Sequence, residues 1–169
     1  MKHPLRSSFF ILMLAALLAV AGCNSSTKKM KDEDMVMARF LVEASEGDAF
    51  ASVTLPVSGV QIVVNNKPVV TEFDYVSVEL AKSDLGTFIV FNLTGDASRD
   101  VYRFTGNNQG KRLVLFIGGK PVGARMIDRA FNTGSIAVFA AIPEEELPAI
   151  VKKMNETAIE IQRRISKEK

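Results

Sequence analysis

Tryptophan is absent from this 169-residue chain, and histidine and cysteine occur once each, as His3 and Cys23. Both lie at the extreme N-terminus, so from Asn24 onward there is neither an imidazole nor a thiol. That excludes Ser-His-Asp and Cys-His catalysis and the usual His/Cys zinc sites. A disulfide within the chain is impossible with one cysteine, so the fold has to be held by packing. The expectation is a protein that is not an enzyme, with no catalytic residue, no metal site and no cofactor.

Residues 1–22 read as a targeting segment. Lys2, His3 and Arg6 form a positive start, and Phe9–Val20 is an unbroken apolar run of twelve. Twelve residues suit the apolar region of a signal peptide and fall short of the roughly 20 needed to span a bilayer. Ala21, Gly22 and Cys23 follow. The stretch Val-Ala-Gly-Cys resembles the lipobox of bacterial lipoproteins. In that class the peptide is cut before the cysteine, whose sulfur and new amine carry acyl chains. The resemblance implies lipidation at Cys23 and a membrane held through that lipid, since two or more chains anchor stably where one does not. Asn24 stands where enteric inner-membrane lipoproteins tend to carry aspartate. By resemblance, this favours the outer membrane over the inner, with the domain facing the periplasm.

Cleavage at Cys23 leaves 147 residues, enough for one domain with a real core. It also removes Lys2 and Arg6, so that 19 basic residues face 19 acidic ones and the net charge of +2 disappears. A balanced chain carries no electrostatic case for nucleic acid as a partner. Residues 24–36, polar and without apolar period, read as a flexible tether after the lipidated cysteine. The domain boundaries expected are 1–22, signal peptide; 23–37, lipidated Cys23 and tether; and 38–169, a single α+β domain.

Within that domain the pattern predicts strands first. Ala38–Ala44 and Phe50–Val57 are short strand candidates. Val60–Val64, the Asn65-Asn66 pair and Val69–Ala81 read as a hairpin turning at the two asparagines. Gly86–Thr94 is a strong strand with Phe88, Val90 and Asn92 on one face and Ile89, Phe91 and Leu93 on the other. The period then becomes helical. Thr94 is the N-cap, Asp96 suits the helix dipole, and Ala97, Val101 and Phe104 form a stripe. Asn107–Gly110 stops that helix. A strand over Arg112–Ile117, a Gly118-Gly119 turn and a returning strand over Val122–Ile127 follow. Gly134–Ile142 is a further strand. A final helix of about 18 residues, near 27 Å long, begins around Pro148 and carries Leu147, Ile150, Val151, Met154, Ala158, Ile161 and Ile165 on one face.

The order strand, helix, hairpin, strand, helix across 86–165 defines an α+β class, with an antiparallel sheet bearing two helices on one face and a β-hairpin region before it. This part resembles the head of the first periplasmic domain of SecD, of the SecDF protein-export accessory family. The resemblance rests on the Leu93–Thr105 turn and helix, the Gly110-Lys111-Arg112-Leu113 strand entry and the Gly118–Val122 hairpin. Gly134–Ile136 and the acidic Glu144–Glu146 turn complete it. It runs from about residue 70 to 165. It implies contact with exported or envelope polypeptides and supplies no catalytic residue, because that head has none.

Several side chains are candidate sites. Arg99, Asp100, Arg103, Arg125, Asp128 and Arg129 are the densest charge group, readable as an anion site or as ordinary helix pairing. Glu72 and Asp74 are a potential carboxylate pair in a polar turn without apolar shelter. Gly118-Gly119-Lys120 lacks the helix and spacing of a phosphate loop and reads as a turn. The stripe of the last helix is either core or a partner surface. Two functions remain open. One is a membrane-anchored binding or adaptor module that uses a sheet face or an edge strand. The other is an assembly protein that self-associates through its last helix.

Overall fold

The computed structural model describes residues 30–168 apart from Ala49. The expected signal peptide, Cys23 and the expected tether up to residue 29 lie outside the described residues. A three-residue 3-10 turn at Asp32–Asp34 precedes eight strands and two helices. The strands are β1 (Ala38–Glu43), β2 (Phe50–Thr54), β3 (Gln61–Val70), β4 (Tyr75–Ser83), β5 (Gly86–Leu93), β6 (Arg112–Ile117), β7 (Lys120–Met126) and β8 (Ser135–Val138). Helix α1 (Gly95–Asn107) follows β5, and α2 (Leu147–Glu168) ends the chain.

The class is α+β and all strand pairs are antiparallel, as expected from the pattern. The strands are divided, however, between a five-stranded sheet of order β2-β3-β1-β6-β7 and a three-stranded sheet of order β4-β5-β8. The sequence order alone had placed the 86–165 strands in one layer. The two sheets meet face to face. Phe40 of β1 packs edge-on against Phe91 of β5 with ring centroids 5.0 Å apart, and Tyr75 does so at 5.4 Å. One large cluster fills this interior and takes in Val101 of α1 and Val151, Met154 and Ala158 of α2. Both helices therefore join the side of the three-stranded sheet that carries Ile89 and Phe91.

The two sheets nearly merge where β7 meets β8. The Ala141 N–H donates to the Val122 carbonyl at 2.6 Å, and Arg125 Nη1 donates to the Ala137 carbonyl at 2.7 Å. Gly123 permits this approach: a Cβ there would lie 2.2 Å from the Phe139 carbonyl oxygen. On the opposite side, the free edge of β4 is covered by α2.

The expected turn at Asn65-Asn66 does not form. Strand β3 continues through both residues. Between Leu41 and Glu43 of β1, the partner register on β3 jumps from Pro68 to Val64. The Asn65–Lys67 stretch is therefore a bulge, with the Lys67 N–H bonded to Asn65 Oδ1 at 2.9 Å. The chain actually turns at Thr71–Asp74, where the Asp74 carboxylate accepts from the Thr71 N–H and Oγ1. It then enters the other sheet.

Other elements follow their local chemistry. Thr94 Oγ1 accepts from the Ala97 N–H at 3.3 Å and caps α1. Gly118 and Gly119 have φ of 57° and 79°, the left-handed pair that a two-residue hairpin turn requires. Pro148 occupies the second position of α2, where its missing N–H costs no helical bond.

Candidate functional site

The five-stranded sheet has two apolar faces. Residues alternate along β1, so Ala38, Phe40 and Val42 enter the main core while Arg39 and Leu41 turn outward. The outward side carries a second cluster around Ile62, Val64 and Val114, with Leu41, Val53, Leu55 and Phe116 packed on it. No helix covers this face among the described residues. Where β1 begins, the face opens into a groove of about 360 Å³ lined by Met35, Met37, Leu41, Pro68, Phe116 and Gly119.

The groove is set by identifiable contacts. The Val36 N–H, between the two methionines, donates to Thr157 Oγ1 of α2 at 3.0 Å. Arg164 of α2 bonds Asp32 at 2.7 Å and the Met30 carbonyl at 3.0 Å. Residues 30–36, expected to belong to a free tether, are thus fastened along α2, because their backbone groups and Asp32 find partners there.

Arg39 stands at the rim of the groove and grips Glu72 with both arms of its fork, at 2.8 Å and 2.6 Å. Glu72 is only 4 % exposed, which corrects the expectation of an unsheltered turn carboxylate. Its hydrogen bond to Arg39 outweighs burial and holds the carboxyl below the usual range. A carboxyl shifted in that direction is poorly suited to serve as a general acid. Asp74 is occupied in its turn and does not pair with Glu72. Beside them Tyr75 is fully buried, and burial pushes its phenol up to about 12. Its hydroxyl, turned toward the Ala38 backbone, has no hydrogen-bond partner among the described residues.

The charge group does not assemble into a site. Arg103–Asp100 is an exposed pair along α1 at 4.0 Å, and Arg99 pairs with Asp96 one turn earlier. Arg129 pairs with its neighbour Asp128 at 3.4 Å. Arg125 lies 4.5 Å over the Phe131 ring. Gly118-Gly119-Lys120 is a hairpin turn. The stripe of α2 is core: Leu147, Val151, Met154, Ala158 and Ile161 are buried within this chain. On α1 the buried positions are Ala97, Val101 and Thr105, whereas Phe104 is half-buried and lines a second groove of about 350 Å³ with Val42, Lys67, Val69 and Asp100. Thr105 explains the rotation. Its hydroxyl donates to the Val101 carbonyl at 2.7 Å and accepts from the Phe131 N–H at 2.9 Å, tying the loop before β8 to the helix.

Sequence reasoning missed the methionine groove. Met35 and Met37 flank Val36 at alternate positions, a strand-like signal hidden because the segment was read as tether. Among the described residues no three His, Cys, Asp or Glu side chains come together to hold a metal, and no helix is long and apolar enough to cross a membrane.

No protein-family model and no curated protein matches the chain. Solved structures do. One, described as a membrane component SecDF that enhances protein export, is similar with TM-score 0.56 and 17% identity, over 72% of this chain and 62% of that chain. A second, SecDF in a super-membrane-facing form, gives TM-score 0.57 and 19% identity over 72% of this chain and 19% of that one. The chain thus spans less than two thirds of each. At such identities the likeness assigns the fold, an α+β architecture like one found in SecDF, and nothing of the chemistry.

Proposed function

We propose that the chain is a lipid-anchored envelope protein, held through Cys23 and facing the periplasm, that acts as a non-catalytic binding module for exported or envelope polypeptides. The observation that carries this is the groove of Met35, Met37, Leu41 and Phe116 on a sheet face that no helix covers among the described residues. Methionine side chains are unbranched and polarisable, so they adapt to apolar groups of varied shape. Such a lining suits the irregular apolar side chains of an unfolded segment better than one fixed small molecule. The fold likeness to SecDF, described as enhancing protein export, points to the same partner class.

Geometry supports an anchored arrangement. Six residues lie between Cys23 and Met30, and the seven steps from one to the other reach at most about 25 Å when extended. Since the chain from Met30 onward is fastened to α2, the groove would stay close to the bilayer that holds the anchor. The outer membrane is the favoured one by the Asn24 argument. The assembly reading loses its basis, because the apolar stripe of α2 is spent inside the domain.

The test is equilibrium binding of the soluble domain, residues 24–169, to a carboxymethylated, permanently unfolded model protein and to its native form. Binding confined to the unfolded form and weakened by Met37→Glu supports the reading. Equal binding to both forms, or none, removes it.

A further inference from the structure

We infer that the free edge of β2 takes an extended segment of another polypeptide as an added strand. The inference rests on the reading of the chain as a polypeptide-binding module and adds a second, main-chain-reading site away from the methionine groove.

Two sheets present four edges, and three are blocked by specific devices. Asn155 of α2 occupies the edge of β4, bonding both the N–H and the carbonyl of Val78 at 2.8 Å. The edges of β7 and β8 face each other and are bridged by Ala141 to Val122 and Arg125 to Ala137. Only β2 has no hydrogen-bonded neighbour along its outer edge among the described residues. Exposed edges are normally blunted by charge, proline or cover. The five residues of β2, Phe-Ala-Ser-Val-Thr, contain neither a charge nor a proline.

The register shows which groups are on offer. Val63 of β3 directs its carbonyl to the Ala44 N–H of the β1 side at 2.8 Å. Its partner Ser52 therefore directs its own N–H and C=O away from β3. By alternation Phe50 and Thr54 do the same. Three outward N–H and C=O pairs, spaced as one strand presents them, are complementary to another strand and to little else. The side chains add a preference. Ala51 and Val53 lie opposite Val64 and Ile62, on the face of the second apolar cluster. Alternate residues of the incoming segment should accordingly be apolar. Phe50, 60 % exposed, offers a further apolar contact on the other face. A second copy of this chain fits less well, because an edge of five residues is short for the about 1,200 Å² that a specific dimer buries.

The probe is a fluorescein-labelled decapeptide, Lys-(Val-Thr)4-Lys, titrated by anisotropy against the 24–169 domain. The wild type should bind saturably. Ser52→Pro removes one outward donor and places its ring in the path of the added strand, while leaving the β2–β3 ladder intact. It should bind at least about tenfold more weakly, with Ser52→Ala unchanged. The decapeptide N-methylated throughout its central eight residues should also fail, a control that leaves the protein untouched should the proline variant unfold. Met37→Glu, which alters the groove at the start of β1 and leaves the backbone of β2 untouched, should change the affinity by less than about twofold. The proposal is overturned if the wild type does not bind, if folded Ser52→Pro binds like wild type, or if the methylated peptide binds equally. Loss with Met37→Glu alone would put the peptide in the groove, sinking the edge site while sparing the module reading. A dimer in sedimentation that disperses in Ser52→Pro would give the edge to a second copy and equally overturn the proposal.

Discussion

Asn155 does for Val78 what a neighbouring strand would do: its Oδ1 accepts from the Val78 N–H and its Nδ2 donates to the Val78 carbonyl, both at 2.8 Å. A helix side chain thereby closes the edge of β4 and fixes α2 along the three-stranded sheet. Asn155→Ala leaves two partly buried backbone groups unpaired, and each orphaned group costs about 1–3 kcal/mol. Urea denaturation should show a midpoint well below wild type with the same slope. Asn155→Asp, which keeps an acceptor but no donor, should fall between the two if its charge finds water.

The contrast between Phe91 and Phe104 tests the packing of α1. Phe91 is fully buried and meets both Phe40 and Tyr75 edge-on. Phe91→Ala should cost about 3–5 kcal/mol, as for other core phenylalanines. Phe104 is half-buried at the rim of a groove, so Phe104→Ala should cost clearly less than Phe91→Ala. Arg103, exposed one position away, should cost less than about 1 kcal/mol. Thermal or chemical denaturation of the three variants gives the ranking directly.

These two phenylalanines also show how far the sequence was legible. Local signals were sound where one residue type dictates a local geometry. Thr94 capped its helix and the paired glycines made their turn. The reading failed where the outcome depends on distant partners. Asn65-Asn66 carries turn chemistry, but a bulge consumes the same chemistry as a hairpin, and β1 decides between them. Thr105 takes a core position on α1 because Phe131 supplies a backbone N–H from 26 residues away, which no helical period reveals. The division into two sheets likewise rests on β1, outside the 86–165 pattern, pairing with both β3 and β6. Of the residues judged by charge alone, Arg99, Asp100, Arg103, Asp128 and Arg129 proved to be in local pairs, while Arg125 reaches the Ala137 carbonyl and the Phe131 ring. The groove went unseen because its methionines sat in a segment read as tether.

Acid should loosen the fold through paired carboxylates. Arg39 holds Glu72 and Arg112 holds Glu43 below the usual range, and Arg163, helped by Arg164, holds Glu160 down to about 2. The unfolded chain titrates these groups near about 4.3. Each has its folded value depressed, so its contribution is full above the unfolded value and is lost as pH falls toward the folded one. The melting temperature should be flat from neutral pH to about 5 and decline below about 4.5. Glu72→Gln should melt lower than wild type at pH 7, and the gap should narrow on acidification. A gap that stays constant to pH 3 would mean the Arg39 pair is not what couples stability to pH.

The anchor is testable on its own. Cys23→Ala should leave the uncleaved precursor in cells and abolish incorporation of labelled fatty acid. A variant that is processed and labelled like wild type would dissociate the domain from the lipid-anchored reading, without bearing on its groove.

The most direct test of the central claim is photo-crosslinking in growing cells. A benzophenone side chain would replace Phe116 in the groove and, as control, Tyr102 on the exposed side of α1. The account predicts adducts from position 116 with pulse-labelled envelope proteins, falling away during the chase as those chains fold, and few from position 102. Adducts of equal yield from both positions, or adducts at 116 that persist unchanged through the chase, would contradict it.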